Sequence, residues 1–261
     1  VAYARGCEIL DPSLDGIPEA VEVARQSDVA LLFVGDRAGL TEPCTSGEAR
    51  DRATLGLPGV QEQLVNAVID TGTPTVVVLV SGRPVAIPEI VERAAAVLEV
   101  WLPGEEGAEA TVDALLGDLN PGGKVAITVP RHVGQVPSYY AHKPSGGRSQ
   151  WKVSYVEMSN EPLFPFGYGL SYTTFALDEF RIDRREAKAG ERFAVTIDVT
   201  NTGRRTGDEV VQLYLRYEGT SVTRPVKELC GFKRITLAPG ERRTVRFVVS
   251  VDQAAFLDRN M

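Results

Sequence analysis

The residues best placed by type and spacing to do chemistry lie between Gly35 and Arg52, where the chain reads Gly-Asp-Arg-Ala-Gly-Leu-Thr-Glu-Pro-Cys-Thr-Ser-Gly-Glu-Ala-Arg-Asp-Arg. The carboxylates Asp36, Glu42, Glu48 and Asp51 alternate there with Arg37, Arg50 and Arg52. A carboxyl group can act as general acid, general base or nucleophile, or can accept hydrogen bonds from a polar ligand. The same composition also describes a solvated charged loop, and residue types alone leave both readings open. Metal and cofactor chemistry is not expected. The chain has two histidines, His132 and His142, and three distant cysteines, Cys7, Cys44 and Cys230, with no CxxC pair. That is too few soft ligands for a zinc site, and an odd cysteine count excludes a disulfide framework. Cys44 has no histidine near it in sequence and reads as a spectator. His142 and Lys143 read as backbone hydrogen-bonding groups.

A loop of this kind needs a rigid layer to present it. Val29 to Val34, Thr75 to Val80 and Ala96 to Trp101 are short continuous apolar runs, each closed by a glycine or a Pro-Gly break, and Lys124 to Val129 is a fourth candidate. Such runs read as buried parallel strands. Helical spacing precedes or separates them, at Ile17 to Gln26, at Val60, Leu64, Val65 and Val68, and at Glu106 to Leu116. The alternation predicts an α/β fold with a mainly parallel sheet flanked by helices. In an open sheet of this class ligands bind beyond the carboxyl ends of the strands, and the Gly35 loop leaves the first of those ends.

The pattern changes near Ser171. Phe193, Val195, Ile197 and Val199 alternate with polar neighbours, as do Val211, Leu213, Leu215 and Tyr217, and Val245, Phe247, Val249 and Val251. Period-two runs with Asn-Thr-Gly and Ala-Pro-Gly turns predict an antiparallel β-sandwich. Between the two patterns, prolines break the chain while Tyr139, Tyr140, Trp151, Tyr155, Phe164, Phe166 and Tyr168 make it too aromatic for a loose linker. The expected organisation is an α/β domain over 1–130, an ordered aromatic strap over 131–170 packed on that domain, and a sandwich over 171–261.

Composition bounds the partners. With 261 residues the chain has room for about two domains at roughly 150 residues each. Its 35 acidic residues outnumber 28 basic ones, for a formal charge of −7, and 43 % of its residues are hydrophobic. No nucleic-acid or anionic-membrane surface is expected from that balance. No apolar run reaches 18 residues, so a soluble chain with no membrane span is expected. The stretch beginning at Val1 is neither a signal nor a transit peptide, which leaves a cytoplasmic or a secreted location open, as it does a homo-oligomer.

Several segments, in order, resemble glycoside hydrolase family three, the β-glucosidase and β-xylosidase family. Ser46-Gly-Glu-Ala-Arg-Asp-Arg-Ala-Thr-Leu-Gly-Leu-Pro-Gly-Val-Gln61 is similar to that family's acid/base loop. Ser81-Gly-Arg-Pro-Val85, Trp101-Leu-Pro-Gly-Glu-Glu-Gly107 and Leu116-Gly-Asp-Leu-Asn-Pro-Gly-Gly-Lys-Val125 resemble the rest of its α/β-sandwich domain. Tyr139-Tyr-Ala-His-Lys-Pro-Ser-Gly146 and Pro162 to Phe175 resemble the strap leading to its fibronectin type III-like domain.

The resemblance implies that Glu48 is the general acid/base of a retaining exo-β-glycosidase that removes non-reducing terminal β-D-glucosyl or β-D-xylosyl residues from a β-linked oligosaccharide or glycoside. In such an enzyme a protonated carboxyl gives the leaving oxygen its proton, while a second carboxylate about 5–5.5 Å away attacks the anomeric carbon. Covering Glu48 with a partner domain would favour the protonated form that an acid needs. The family's nucleophile is an aspartate in a Ser-Asp-Trp-like motif on a (β/α)8 barrel, and neither motif nor barrel is encoded here. The missing partner is therefore that barrel, and since Val251 to Met261 resembles the stretch before the family's last sandwich strands, the chain reads as an internal fragment, a proteolytic product or one part of a split enzyme. Asp51 and Arg52 are expected to form an ion pair supporting the loop. Glu42 is either a sugar ligand or a solvated carboxylate. Trp101 either packs in the core or lines the cleft. The choice between glucose and xylose falls to the barrel. The rival reading is a non-catalytic carbohydrate- or protein-binding module.

Overall fold

The structure is a computed structural model that describes residues 1–144 and 155–260. Trp151, the Ser145-Gly146 end of one motif and Met261 lie outside the described residues. Contacts divide the chain into two compact units, the first formed by Val1–Thr111, Val129–Pro137 and Glu161–Leu163 and the second by the rest.

In the first unit, helix α1 spans Ile17–Arg25, with proline in its first turn and Ala20 and Ala24, four residues apart, turned inward. Strand β1 (Ala30–Gly35), helix α2 (Gln61–Ile69), strand β2 (Thr75–Val80), helix α3 (Pro88–Arg93) and strand β3 (Ala96–Glu99) follow. The strands form one parallel sheet in the order β1-β2-β3. Val34 of β1 pairs with Leu79 of β2, and Leu79 with Glu99 of β3, so the three carboxyl ends stand side by side. The central strand explains its own sequence: Val77 and Val78 point to opposite faces and both are fully buried. Val34, Val65, Val77, Leu79, Ile87 and Ile90 share one core, and each such side chain contributes about 1.5–3 kcal/mol on burial.

The fourth expected strand, Lys124 to Val129, does not form; the sheet holds three strands. Its pattern fitted a strand, but its backbone is engaged elsewhere: Val125 N–H donates to the Tyr168 carbonyl and Gly167 N–H to the Val125 carbonyl, both at 2.8 Å. The six-residue α3 was too short to show a helical period. The stretch expected to pack as a strap on the first domain instead divides between the units. Tyr140 explains why, since it stacks on Phe166 at 4.5 Å and meets Tyr214 edge-on at 5.7 Å, both in the second unit.

After helix α4 (Gly107–Leu116), the second unit carries strands β4 (Phe175–Ile182), β5 (Arg192–Asn201), β6 (Gly207–Leu215), β7 (Glu228–Leu237) and β8 (Arg242–Ser250). They form two antiparallel sheets, β4-β5-β8 and β6-β7. Val195, Val199, Val211, Leu237, Val245, Phe247 and Val249 from both sheets make one core, as a sandwich requires. In β8 the alternation is visible residue by residue, with Val245, Phe247 and Val249 buried and Arg246 and Val248 exposed.

Candidate active site

The site begins where β1 ends. Gly35 has φ 143°, and a Cβ there would lie 2.0 Å from the Val80 carbonyl oxygen, so only glycine allows β1 and β2 to approach this closely. Gln61, the first residue of α2, fixes the same peptide: Gly35 N–H donates to its Oε1 at 2.7 Å and its Nε2 donates to the Gly35 carbonyl at 2.9 Å. The exit of the chain from the sheet is thereby set.

Asp36, the next residue, is buried and fully partnered. Thr45 Oγ1 donates to Oδ1 and Ser81 Oγ to Oδ2, each at 2.7 Å. Arg83 Nε lies 3.0 Å from Oδ2, close enough for an ion pair but off line for a hydrogen bond, while Nη2 donates to Oδ1 at 3.4 Å. The guanidinium also donates to the carbonyls of Leu55 at 3.1 Å and Gly56 at 2.8 Å. One carboxylate thus ties together β1, the turn after β2 and both ends of the intervening loop.

That loop folds back on itself. Thr45 N–H donates to the Arg37 carbonyl at 2.8 Å and Gly39 N–H to the Ser46 carbonyl at 3.0 Å. Arg50 reaches across to the Leu40 carbonyl through Nη2 at 3.0 Å. Between these anchors Gly47 has φ 124° and Ala49 φ 57°, so Glu48 is flanked by two residues of left-handed backbone. The result is a turn that presents Glu48 outward: its side chain is exposed and makes no hydrogen bond or ion pair among the described residues.

A second carboxyl stands at the end of β3. Glu99 is half-buried, and burial pushes it up to about 7, with the nearby charge of Asp36 acting in the same direction and the Trp101 N–H against it. Its Oε1 accepts that N–H at 2.9 Å, while the Trp101 carbonyl accepts from Ser81 N–H at 3.1 Å. Trp101 itself has φ 55°, a genuine outlier for so bulky a side chain. A cleft of about 330 Å³ also occurs in this unit, lined by Leu55, Gly56, Ile87, Ile90, Arg131 and His132 among others, but none of Asp36, Glu42, Glu48 or Glu99 borders it. Glu48 stands on open surface instead.

Residues 10–172 match the family model for the glycosyl hydrolase family 3 C-terminal domain. The chain belongs to glycosyl hydrolase family 3. Residues 209–261 match the fibronectin type III-like domain as well. A β-xylosidase of Formosa agariphila is 44 % identical over 100 % of this chain and 35 % of its own length. A periplasmic β-glucosidase of Salmonella typhimurium is 41 % identical over 94 % of this chain and 32 % of its own. The crystal structure of a β-glucosidase from Listeria innocua in complex with glucose superposes with TM-score 0.87 at 34 % identity, covering 97 % of this chain and 35 % of that one. The chain therefore spans about a third of the length of the relatives it matches.

Within this family 3 domain the residues singled out by sequence have separated. Glu48 and Glu42 are both exposed on the loop, and Glu42, like Glu48, has no polar partner among the described residues. The expected Asp51–Arg52 ion pair is not formed: Arg52 Nη2 donates to Thr54 Oγ1 at 3.2 Å, and Asp51 points to solvent. The reason is local, because the Thr54 hydroxyl takes up the Arg52 guanidinium while Asp51 stands in solvent, where an exposed pair gains little. The ion pair that holds the loop is Asp36–Arg83 instead. Trp101 is half-buried. Cys44 is buried, with the Thr41 hydroxyl 3.4 Å away; that contact and the charges of Arg37 and Arg50 draw its thiol below the usual range. His132 Nδ1 accepts from Gly134 N–H at 3.0 Å, and His142 Nδ1 lies 3.0 Å from the Lys143 carbonyl. Sequence reasoning missed Arg83 and Glu99. Arg83 lies in the Ser-Gly-Arg-Pro segment, whose residue types do not name a carboxylate partner in another loop, and nothing in the local pattern around Glu99 distinguishes it from any strand-end glutamate. Among the described residues no three His, Cys, Asp or Glu side chains are grouped to hold a metal, and no helix is long and apolar enough to cross a membrane.

Proposed function

We propose that this chain supplies the general acid/base, Glu48, to a retaining exo-β-glycosidase that removes non-reducing terminal β-D-glucosyl or β-D-xylosyl residues. The observation that carries the reading is the contrast within one loop: hydrogen bonds fix its backbone while the Glu48 carboxyl has no polar partner among the described residues. A positioned, unpaired carboxyl can hold a proton, deliver it to a leaving oxygen and take one back from water. The nucleophilic aspartate belongs to a (β/α)8 barrel outside this chain, which would cover the exposed loop and complete the pair. Glu42, exposed on the same loop, is a candidate ligand for sugar hydroxyls. The names of the relatives favour glucosides and xylosides alike.

The test is Glu48→Ala in the full-length protein, assayed with cellobiose and with an activated aryl β-glucoside. Without its acid the enzyme should lose about 10²–10⁴-fold in turnover of cellobiose. The aryl glycoside, whose leaving group needs no proton, should still glycosylate the enzyme and then stall for want of a general base. Added azide should restore its turnover and yield a β-glycosyl azide. Near wild-type cleavage of both substrates would remove Glu48 from the reaction, and a wild-type protein inert towards both glucosides and xylosides would leave the binding-module reading in its place.

A further inference from the structure

We propose that Glu99 is a positioning residue for Glu48: it fixes the Trp101 backbone at the carboxyl edge of the sheet, and that backbone anchors the loop from which Glu48 projects. The inference rests on the reading of Glu48 as acid/base and adds a residue that acts on it from a distance. The starting observation is strain. A left-handed backbone costs a residue other than glycine about 1–2 kcal/mol, and such conformations persist only where their surroundings dictate them. At Trp101 the surroundings are two hydrogen bonds, N–H to Glu99 Oε1 at 2.9 Å and carbonyl to Ser81 N–H at 3.1 Å. Glu99 is thus the side chain that holds the outlier in place.

The consequence travels along an unbroken path. Ser81 N–H donates to the Trp101 carbonyl, and its hydroxyl donates to Asp36 Oδ2 at 2.7 Å. Asp36 Oδ1 accepts from Thr45 Oγ1 at 2.7 Å, and Thr45 Oγ1 accepts from Arg37 N–H at 3.1 Å, clasping the two limbs of the loop. A packing contact runs in parallel. A Cβ added to Gly82 would meet Leu102 Cδ1 at 3.3 Å and Ser46 Oγ at 3.4 Å, so the residue after Trp101 and the residue two before Glu48 close on the same glycine. Moving the Trp101–Leu102 segment would shift both routes at once.

Glu99 can exist in either protonation state near neutral pH, since burial and the charge of Asp36 push it up to about 7 while the Trp101 N–H opposes them. Asp36 is the charged group facing it, and Arg83 neutralises Asp36 from the turn after β2. The ionised carboxylate accepts the Trp101 N–H more strongly than the neutral acid does, so positioning should improve as Glu99 loses its proton.

The experiment uses the full-length protein with Glu99→Ala, Glu99→Gln and, as reference, Glu48→Ala, on cellobiose and 2,4-dinitrophenyl β-glucoside. Glu99→Ala should lower kcat/KM, which reports glycosylation, about tenfold more on cellobiose than on the dinitrophenyl glucoside, because proton donation is displaced while nucleophilic attack is not. Glu99→Gln keeps an oxygen acceptor for Trp101 N–H and should recover most of that loss, while an ionisation near 7 disappears from the kcat profile on cellobiose. Equal losses on both substrates, or no loss, in a preparation where Glu48→Ala is selective would overturn the proposal and leave the acid/base reading standing. A Glu48→Ala variant with no selective loss removes both. Should Glu99→Ala fail to fold, the Glu99→Gln profile decides: a pH dependence and a substrate selectivity both superposable on the wild type's overturn the role.

Discussion

Asp36 and Glu48 carry the same chemical group on the same loop, and the structure treats them oppositely. Asp36 is buried, and its two oxygens meet two hydroxyls and an arginine. Glu48 is exposed and has no hydrogen-bond or ion-pair partner among the described residues. A carboxylate with every lone pair engaged has no capacity left for a substrate proton; one held on a fixed backbone with its oxygens free has all of it. The sandwich gives the control. Asp198 on β5 is buried as well, held by Thr244 Oγ1 and by Arg242 Nη2 at 2.6 Å, which together keep its carboxyl below the usual range. Burial plus an arginine therefore marks an architectural carboxylate in both units, and the unpartnered one is where reactivity is to be sought.

Substitution can break this contrast from either side. Glu48→Ala carries the largest expected effect, the loss of about 10²–10⁴-fold in turnover on poor leaving groups, yet it should leave stability within about 0.5 kcal/mol because no contact is lost. Asp36→Ala should do the reverse in kind. It strands the Arg83 guanidinium and two hydroxyls, and breaking a buried pair costs about 3–5 kcal/mol, which chemical denaturation would read directly. Activity would fall with it, on both substrate types, since the whole loop loses its anchor. A stable Asp36→Ala variant with selective loss on poor leaving groups would exchange the two roles.

The sequence made the scaffold legible and the anchors much less so. Long apolar runs such as Thr75 to Val80 declare a buried strand by themselves, and β2 has those bounds. Val245, Phe247 and Val249 declare a half-buried one in the same way. Lys124 to Val129 had a strand's pattern without a strand's partners, because pairing is decided by what lies alongside, here Gly167 and Tyr168. Glu48 could be singled out as a candidate because its whole loop resembles a known motif. Asp36 was named among the loop carboxylates, but its bond to Arg83 joins residues 47 apart. Nothing in the spacing of one segment announces a contact with another. Glu99 was invisible for a further reason: its properties come from burial, and burial is a property of the fold.

Glu99 also links the site to stability, with a sign that follows from its acidity. Folding weakens it as an acid, from an ordinary value of 4.5 to about 7, so the folded protein holds this proton more tightly than the unfolded chain. Its penalty is absent below 4.5, grows as pH rises through that interval, and is complete above 7. Glu99→Gln cannot ionise and should match the wild type at pH 4 and exceed it at pH 8 by on the order of 2 kcal/mol, allowing for screening at a half-buried group. Denaturation midpoints at the two pH values check this. A constant difference would mean that Glu99 does not ionise where its surroundings place it.

The smallest expected effect is the sharpest test of how Glu48 is aimed. Ala49, with φ 57°, occupies backbone that glycine adopts freely. Ala49→Gly removes the left-handed cost of about 1–2 kcal/mol but adds about 0.4–1 kcal/mol of freedom to the unfolded chain, so the net gain in stability should lie between zero and about 1.6 kcal/mol. Relief comes with lost direction, because a glycine beside Glu48 lets the turn sample other geometries. The kcat/KM for cellobiose, which reports glycosylation, should then fall several-fold while that for the activated aryl glucoside is spared, and the protein should be no less stable. Ala49→Gly with unchanged selectivity between the two substrates would mean that Gly47 and the flanking hydrogen bonds suffice to aim Glu48. The strained alanine would then contribute nothing to the contrast between the two ends of the loop.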